Sequence, residues 1–198
     1  MNILDAPIKR FMESLDQVLN NAVTVLLDFP LSKNTLEEDV ENLLRSDDFI
    51  ERIYKVDSDM DYGNYHYYDF DEDNNVVQRR WPLKILRDNY QLMISKPAVD
   101  KMDYLMAMLT GDTTRGKFFS FYRREKSRAE AEEIIIGFIS AISRGAGWEL
   151  YVIDPGFLEY NDDEKDEMGY LIEDYGNNNV LVITCNETGY LIMTNGVD

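Results

Sequence analysis

Cysteine and histidine are nearly absent from the sequence, which has one of each, Cys185 and His66, among 198 residues. A single cysteine excludes an internal disulfide bond and any zinc motif built from the cysteines of this chain. A single histidine excludes a cluster of histidine metal ligands, and a nucleophilic Cys–His pair would have to use these two residues. We expect Cys185 to be a packing thiol instead, because it ends an apolar, β-rich run beside a turn.

Basic residues are scarce relative to acidic ones. The sequence has 20 Lys and Arg against 38 Asp and Glu, which gives a formal net charge of −18 at pH 7. A surface of this charge repels nucleic acid phosphates and anionic lipid head groups, and it attracts positively charged molecules. The composition therefore predicts no direct binding to nucleic acid or membrane, and it favours a basic protein as the partner.

Long apolar runs and phosphate-binding loops are missing as well. The longest apolar stretch, residues 134–142, is interrupted by Ser140 and is far too short to span a bilayer. The first five residues lack the basic and apolar regions of a secretory leader. Gly145 and Gly147 follow a predicted helix, whereas the glycines of a nucleotide-binding loop precede one. We therefore expect a cytoplasmic protein without a cofactor.

Apolar residues are plentiful enough for a folded protein. They make up 44% of the sequence, so burial can offset the conformational entropy that folding removes. The sequence contains no internal repeat and no linker rich in Pro, Gly or Ser, so we predict a single domain over residues 1–198. Helical and strand periodicities both occur. They predict an α+β fold, with antiparallel sheet and about five helices packed around a single core.

Helical spacing of apolar residues, three or four apart, occurs in five segments. Two of the helix starts carry the Ser/Thr-x-x-Glu capping box, formed by Thr35 with Glu38 and by Ser127 with Glu130. Gly111 is predicted to end the third helix. The predicted helices cover residues 5–30, 35–44, 97–109, 127–145 and, as an acidic helix, 163–175.

Strand-like alternation dominates between residues 50 and 95. We predict three or four antiparallel strands there, beginning with residues 50–56 and turning at Asn74-Asn75. Pro82 places its strand at an edge or a bulge. Further strands are predicted at residues 117–122 and 148–153, and a terminal hairpin is predicted in which residues 180–184 and 190–194 flank a turn.

The most distinctive segment is residues 57–73, which is rich in acidic and aromatic side chains and has no Lys or Arg. Carboxylates pair with Arg and Lys, and tyrosines supply rigid contact area at a low entropic cost, so this composition suits recognition of a cationic surface. A solvated loop between strands is the alternative interpretation. The residues predicted to contact a partner are Asp57, Asp59, Asp61, Tyr65, Tyr67, Tyr68, Asp69, Asp71, Glu72 and Asp73.

A second acidic cluster lies at residues 159–174, where Lys165 is the only basic residue. Acids in the first turn of a helix stabilise its dipole, which is a structural explanation for Asp162, Asp163 and Glu164. The acidic surplus is larger than capping requires. We therefore include these three residues in the predicted partner surface.

Residues 57–61 match the beginning of a calcium-binding loop, with oxygen ligands at alternate positions. The match ends at Tyr62, which occupies the position of the turn glycine, and at Tyr68, which replaces the bidentate Glu. We predict no metal site here, and weak binding of calcium is the alternative.

Three functions are consistent with these features. The leading hypothesis is an immunity-type or antitoxin-type inhibitor, which binds a basic toxin domain such as a nuclease and neutralises it. The alternative is a nucleic acid mimic that acts on DNA-binding or host-defence proteins through carboxylates spaced like phosphates. The third is an enzyme that uses Asp and Glu with a divalent metal ion. We expect a binding protein without catalytic residues.

Overall fold

A computed structural model describes residues 5–19, 21–60, 66–80, 83–84, 92–112, 114, 124–153, 169–170 and 179–196. Within these residues the protein has the predicted α+β fold, with five helices, a five-stranded antiparallel sheet and a separate hairpin. The helices are α1 (Ala6–Leu19), α2 (Leu36–Leu44), α3 (Asp47–Asp59), α4 (Lys101–Thr110) and α5 (Arg128–Ser143). The strands are β1 (Asn21–Pro30), β2 (His66–Phe70), β3 (Val76–Arg80), β4 (Leu83–Lys84), β5 (Ile94–Ser95), β6 (Trp148–Ile153), β7 (Gly169–Tyr170), β8 (Asn179–Cys185) and β9 (Thr188–Gly196). The extent of a single domain over residues 1–198 stays a prediction.

The large sheet has the strand order β1-β9-β8-β6-β5, and each neighbouring pair is antiparallel. The predicted terminal hairpin is confirmed, because β8 and β9 pair across a tight turn in which Asn186 has φ 53°. Asparagine tolerates this left-handed conformation better than most residues do. β1 lies at one edge and pairs with β9, from Asn21 opposite Gly196 to Pro30 opposite Thr188.

Helices α1, α4 and α5 pack against one another beside the sheet. Phe11 of α1 stacks on Phe138 of α5, with ring centroids 4.0 Å apart and an interplanar angle of 3°. The apolar stripe predicted for α5 is confirmed by the burial of Ile135 and Phe138. The Tyr190 hydroxyl of β9 donates a hydrogen bond to the Ile142 carbonyl, 3.2 Å away, so the end of α5 lies on the sheet. None of the helices in the described part of the chain is long and apolar enough to cross a bilayer.

Helices α2 and α3 complete the core. The capping box predicted for α2 is confirmed, because Thr35 Oγ1 accepts from the Glu38 N–H and the Glu38 carboxylate accepts from the Thr35 N–H. Arg52 of α3 donates to the Asp28 carbonyl at 2.6 Å and to Asp28 Oδ1 at 2.7 Å. These two bonds connect α3 to the edge strand β1. Phe49 and Ile53 of α3 are fully buried in the same hydrophobic cluster as the sheet.

The first predicted helix is too long. We predicted a helix over residues 5–30, but α1 ends at Leu19 and residues 21–30 form β1. Apolar residues occur at almost every position near Val25, so they satisfy helical spacing as well as strand spacing. The β-branched residues here favour a strand, and the side chains of Thr24, Val25 and Leu26 are buried on both faces of the sheet.

The strand predicted at residues 50–56 is wrong, because these residues belong to helix α3. Ser46 caps α3 by accepting a hydrogen bond from the Phe49 N–H, and two acidic residues occupy the first turn. Phe49, Ile53 and Val56 follow helical spacing and are buried. The alternation of polar and apolar residues that predicted a strand at residues 50–56 therefore arose by chance, from polar residues on the exposed face of a helix.

The remaining predictions have mixed outcomes. The turn at Asn74-Asn75 is confirmed, with Asn74 at φ 65°, and so is the strand at residues 148–153. Gly111 ends α4 in the left-handed conformation as predicted, but α4 begins after Asp100 and not at residue 97. Residues 169–170 form a strand that pairs with β4 in parallel, which contradicts the helix predicted at 163–175 for these two residues. Three other predictions fall outside the described residues. They concern the rest of residues 163–175, the strand at residues 117–122 and Pro82.

Candidate interaction surface on the β2–β3 hairpin

Strands β2 and β3 form a hairpin whose principal contacts, among the described elements, are between its own two strands. Phe70 lies opposite Val76, and Tyr68 lies opposite Gln78. Side chains two residues apart along a strand point to the same face. Tyr68, Phe70, Val76 and Gln78 therefore share one face of the hairpin.

The large side chains on this face are exposed. The exposed fraction is 74% for Tyr68, 61% for Phe70 and 64% for Val76, which are the three highest values among the large hydrophobic residues described. Aromatic side chains of this kind bury roughly 150–250 Å² each when they enter a core or an interface. Tyr68, Phe70 and Val76 together are called the apolar hairpin face below.

The opposite face of the hairpin holds an ion pair. Arg79 Nε lies 2.8 Å from Asp69 Oδ2, and both side chains are about half exposed. A surface pair of this kind is worth about 0–1 kcal/mol. The pair nevertheless places a positive charge beside Asp69, so this acid contributes little net negative charge to its surroundings.

Asp71 organises the turn between the strands. Its Oδ1 accepts hydrogen bonds from the backbone N–H groups of Asp73, at 3.0 Å, and Asn75, at 2.8 Å. The hydrogen bond from the Asn75 backbone is the main reason why the pKa of Asp71 lies below its ordinary value of 3.8, and the side chain of Asn75 adds to the effect. Asp71 therefore has a structural role, whereas the side chains of Glu72 and Asp73 are exposed at the tip.

The described residues of the acidic segment, residues 57–73, lie partly on helix α3 and partly on the β2–β3 hairpin. Asp57 and Asp59 lie in the last turn of helix α3, and Asp57 is only 1% exposed. A buried carboxylate cannot present its charge to a partner, so we do not include Asp57 in the surface proposed below. Asp59 is paired with Lys55 one helical turn earlier. The helical conformation also removes the calcium-loop interpretation at Asp57 and Asp59.

Not all of the predicted contact residues belong to the described part of the chain. Asp61, Tyr65, Asp162, Asp163 and Glu164 lie outside the described residues, and only the backbone of Tyr67 is described, opposite Arg79. Within the described ranges, no group of three or more His, Cys, Asp and Glu side chains is arranged to hold a metal ion. The predicted residues that the structure brings together are Tyr68, Asp69, Asp71, Glu72 and Asp73.

Sequence reasoning missed Val76, which completes the apolar hairpin face. The predicted turn gave no signal for it, because a two-residue turn at Asn74-Asn75 would place Val76 opposite Asp73, whereas Val76 lies opposite Phe70 across residues 71–75. Cys185 is buried, and its thiol lies 3.6 Å from the Ile142 carbonyl, as expected for a packing residue. Burial raises the pKa of this thiol, which disfavours the reactive thiolate.

Comparison with protein-family models, curated protein sequences and solved structures gave no significant match. The functional argument therefore rests on the residues and on the geometry of the hairpin.

Proposed function

We propose that the protein is an acidic inhibitor of the immunity or antitoxin type, which binds a basic protein partner and neutralises it. The partner is a toxin domain with a positively charged surface, and a nuclease is the class we expect, because nucleases use basic residues to bind phosphates. The observation that supports this proposal most strongly is the apolar hairpin face, exposed beside the acidic tip formed by Glu72 and Asp73.

The apolar hairpin face supplies the part of the interface that holds the complex together. Interfaces derive most of their affinity from a few well-buried aromatic residues, surrounded by polar contacts that exclude water. Tyr68 and Phe70 are adjacent on one face, and burying either side chain contributes about 1.5–3 kcal/mol. Mutations in such residues act mainly on the dissociation rate.

The net negative charge of the protein steers a cationic partner toward it. A protein with a formal charge of −18 attracts a cationic partner over a Debye length of about 8 Å at physiological salt, and this raises the association rate. The exposed carboxylates of Glu72 and Asp73 direct this attraction toward the hairpin. Asp69 contributes less because Arg79 already neutralises it.

The apolar hairpin face favours an inhibitor over a nucleic acid mimic. A phosphate mimic requires carboxylates along an extended face, whereas the described hairpin has one acid paired with Arg79 and another committed to its own turn, Asp71. Two exposed aromatic side chains have no counterpart in a phosphate backbone.

The test is capture of partners from the native host with the immobilised full-length protein, at low and at high salt, followed by mass spectrometry. The proposal predicts one abundant basic protein that is retained at both salt concentrations, and whose toxic or nuclease activity falls when the acidic protein is added. Retention of many unrelated DNA-binding proteins at low salt only would support mimicry instead. Retention of no protein would overturn both functions.

A further inference from the structure

The β2–β3 hairpin projects from the rest of the protein. A β-hairpin usually buries one face against a core, because two strands alone are only marginally stable in water. From Tyr68 to Arg79, however, no side chain is buried, and among the described strands β2 and β3 pair only with each other. Both faces of this hairpin and its turn are therefore accessible to a partner at the same time.

The turn at the end of the hairpin is fixed by hydrogen bonds before any partner binds. The Asn74 N–H donates to the Asp71 carbonyl, and the Asp71 N–H donates to the Asn75 carbonyl, both at 3.0 Å. The carboxylate of Asp71 accepts two further backbone hydrogen bonds within the same turn. Glu72 and Asp73 are thus the central residues of an ordered β-turn. A segment that is already ordered loses little conformational entropy when it binds.

Acidic and apolar side chains follow one another along the hairpin. Four residues of extended strand span about 13 Å, so the acidic tip lies about this far beyond Tyr68 and about half as far beyond Phe70. The opposite face carries the Asp69–Arg79 ion pair, which is neutral as a whole. A partner that receives the hairpin in a depression therefore meets the carboxylates of the tip first and the apolar hairpin face behind them.

We propose that the hairpin enters the substrate cleft of a nuclease partner with its acidic tip first, so that inhibition is competitive with nucleic acid. This mode of action rests on the inhibitor function proposed above. A nuclease cleft is concave and positively charged, because it receives a chain of phosphates. A projecting hairpin fits a concave site, and its tip has the complementary charge. Glu72 and Asp73 guide the entry, and the apolar hairpin face packs against a wall of the cleft.

The first test is steady-state kinetics of the captured nuclease on its nucleic acid substrate, with and without the full-length acidic protein. Competition predicts that the apparent KM rises about tenfold or more as the acidic protein is added, whereas kcat is unchanged. A phosphorothioate oligonucleotide that saturates the nuclease should also prevent its capture. A lowered kcat with an unchanged KM, or capture of the nuclease with the oligonucleotide bound, would overturn entry into the cleft and leave the inhibitor function intact.

A bulky label at the tip tests the same contact from the side of the acidic protein. Cys185 is buried, so a maleimide-linked polyethylene glycol reacts with the exposed cysteine introduced by E72C. The matched control is E132C, which carries the same label on the exposed face of α5. Labelled E72C should inhibit roughly a hundredfold less than unlabelled E72C, because the label prevents burial of the apolar hairpin face. Labelled E132C should inhibit like the wild type.

The outcomes separate this mode of action from the inhibitor function itself. Equal inhibition by the two labelled proteins would show that the hairpin tip lies outside the cleft. A captured partner that is inhibited but has no nuclease activity would likewise overturn cleft entry, with the inhibitor function retained. Capture of no partner would overturn both.

Discussion

Asp69 and Arg79 face each other across the hairpin, with 2.8 Å between Oδ2 of the acid and Nε of the base. The acidic segment, residues 57–73, contains no Lys or Arg, but this pair partly neutralises its charge. Its positive partner comes from the neighbouring strand. The acids of the hairpin therefore divide into Asp69, which is paired, Asp71, which organises the turn, and Glu72 with Asp73, which are exposed.

This division predicts which charges steer the partner. The double variant E72Q/D73N should slow association with the basic partner about two- to tenfold at low salt, because it removes two exposed charges next to the contact surface. The dissociation rate should change little. Stopped-flow or surface plasmon resonance measurements over a range of salt concentrations would show the difference shrinking as salt rises.

The matched control for this variant is E37Q/E132Q, which removes the same net charge from exposed positions on α2 and α5. We expect its association rate to stay close to that of the wild type. If association is slowed equally in the two variants, the net charge of the protein steers the partner and the hairpin tip has no specific role.

Asp71 should make the hairpin turn sensitive to acid. Its pKa in the folded protein is lowered, mainly by the hydrogen bond from the Asn75 backbone. A lowered pKa contributes stability that is present above the ordinary value of 3.8 and is lost as pH falls through the folded value. The amide NMR signals of Asp73 and Asn75 should therefore shift with a midpoint below 3.8.

The variant D71N serves as the control, because its amide oxygen still accepts from both N–H groups but does not titrate in this range. The acid-induced shift of the two amide signals should disappear in D71N. A midpoint above the ordinary value in the wild type, or the same shift in D71N, would contradict the structural role of Asp71.

Gly189 should be required for packing against Phe29. The two residues lie opposite each other on β9 and β1, and a Cβ atom at position 189 would lie 2.3 Å from the Phe29 ring. The ring is buried and cannot move away without repacking, so we expect G189A to lower the free energy of unfolding by about 1–3 kcal/mol. Urea denaturation of the two proteins measures this.

Gly147 offers a matched control, because a Cβ atom there meets nothing within 4 Å. G147A should change the free energy of unfolding by less than about 0.5 kcal/mol. In the F29L background the effect of G189A should shrink, since the smaller side chain leaves room. A full effect in that background would mean that the Phe29 ring is not the cause.

The sequence predicts the fold well where local signals agree. The capping residues Thr35 and Ser127, the stop at Gly111 and the terminal hairpin are all confirmed. Each depends on contacts within a few residues, which the sequence contains in full.

The sequence is less informative where contacts between residues far apart in the chain determine the local structure. The sequence of the edge strand β1 predicts a helix because apolar residues at almost every position fit both spacings. Those residues are buried on both faces of the strand, and this burial depends on β9 and on helices far along the chain. The same holds for the candidate surface. Nothing in residues 57–73 reveals that Asp57 would be buried by its helix, or that Arg79 would neutralise Asp69.

The central claim is that the apolar hairpin face binds the basic partner. The most direct test is the dissociation rate of the captured partner from Y68S/F70S, compared with I136S, which replaces an exposed apolar residue on α5. Loss of about 2–4 kcal/mol of apolar burial predicts dissociation roughly 30- to 1,000-fold faster for Y68S/F70S, with circular dichroism unchanged. I136S should dissociate at the wild-type rate. Equal rates for Y68S/F70S and the wild type would contradict the account.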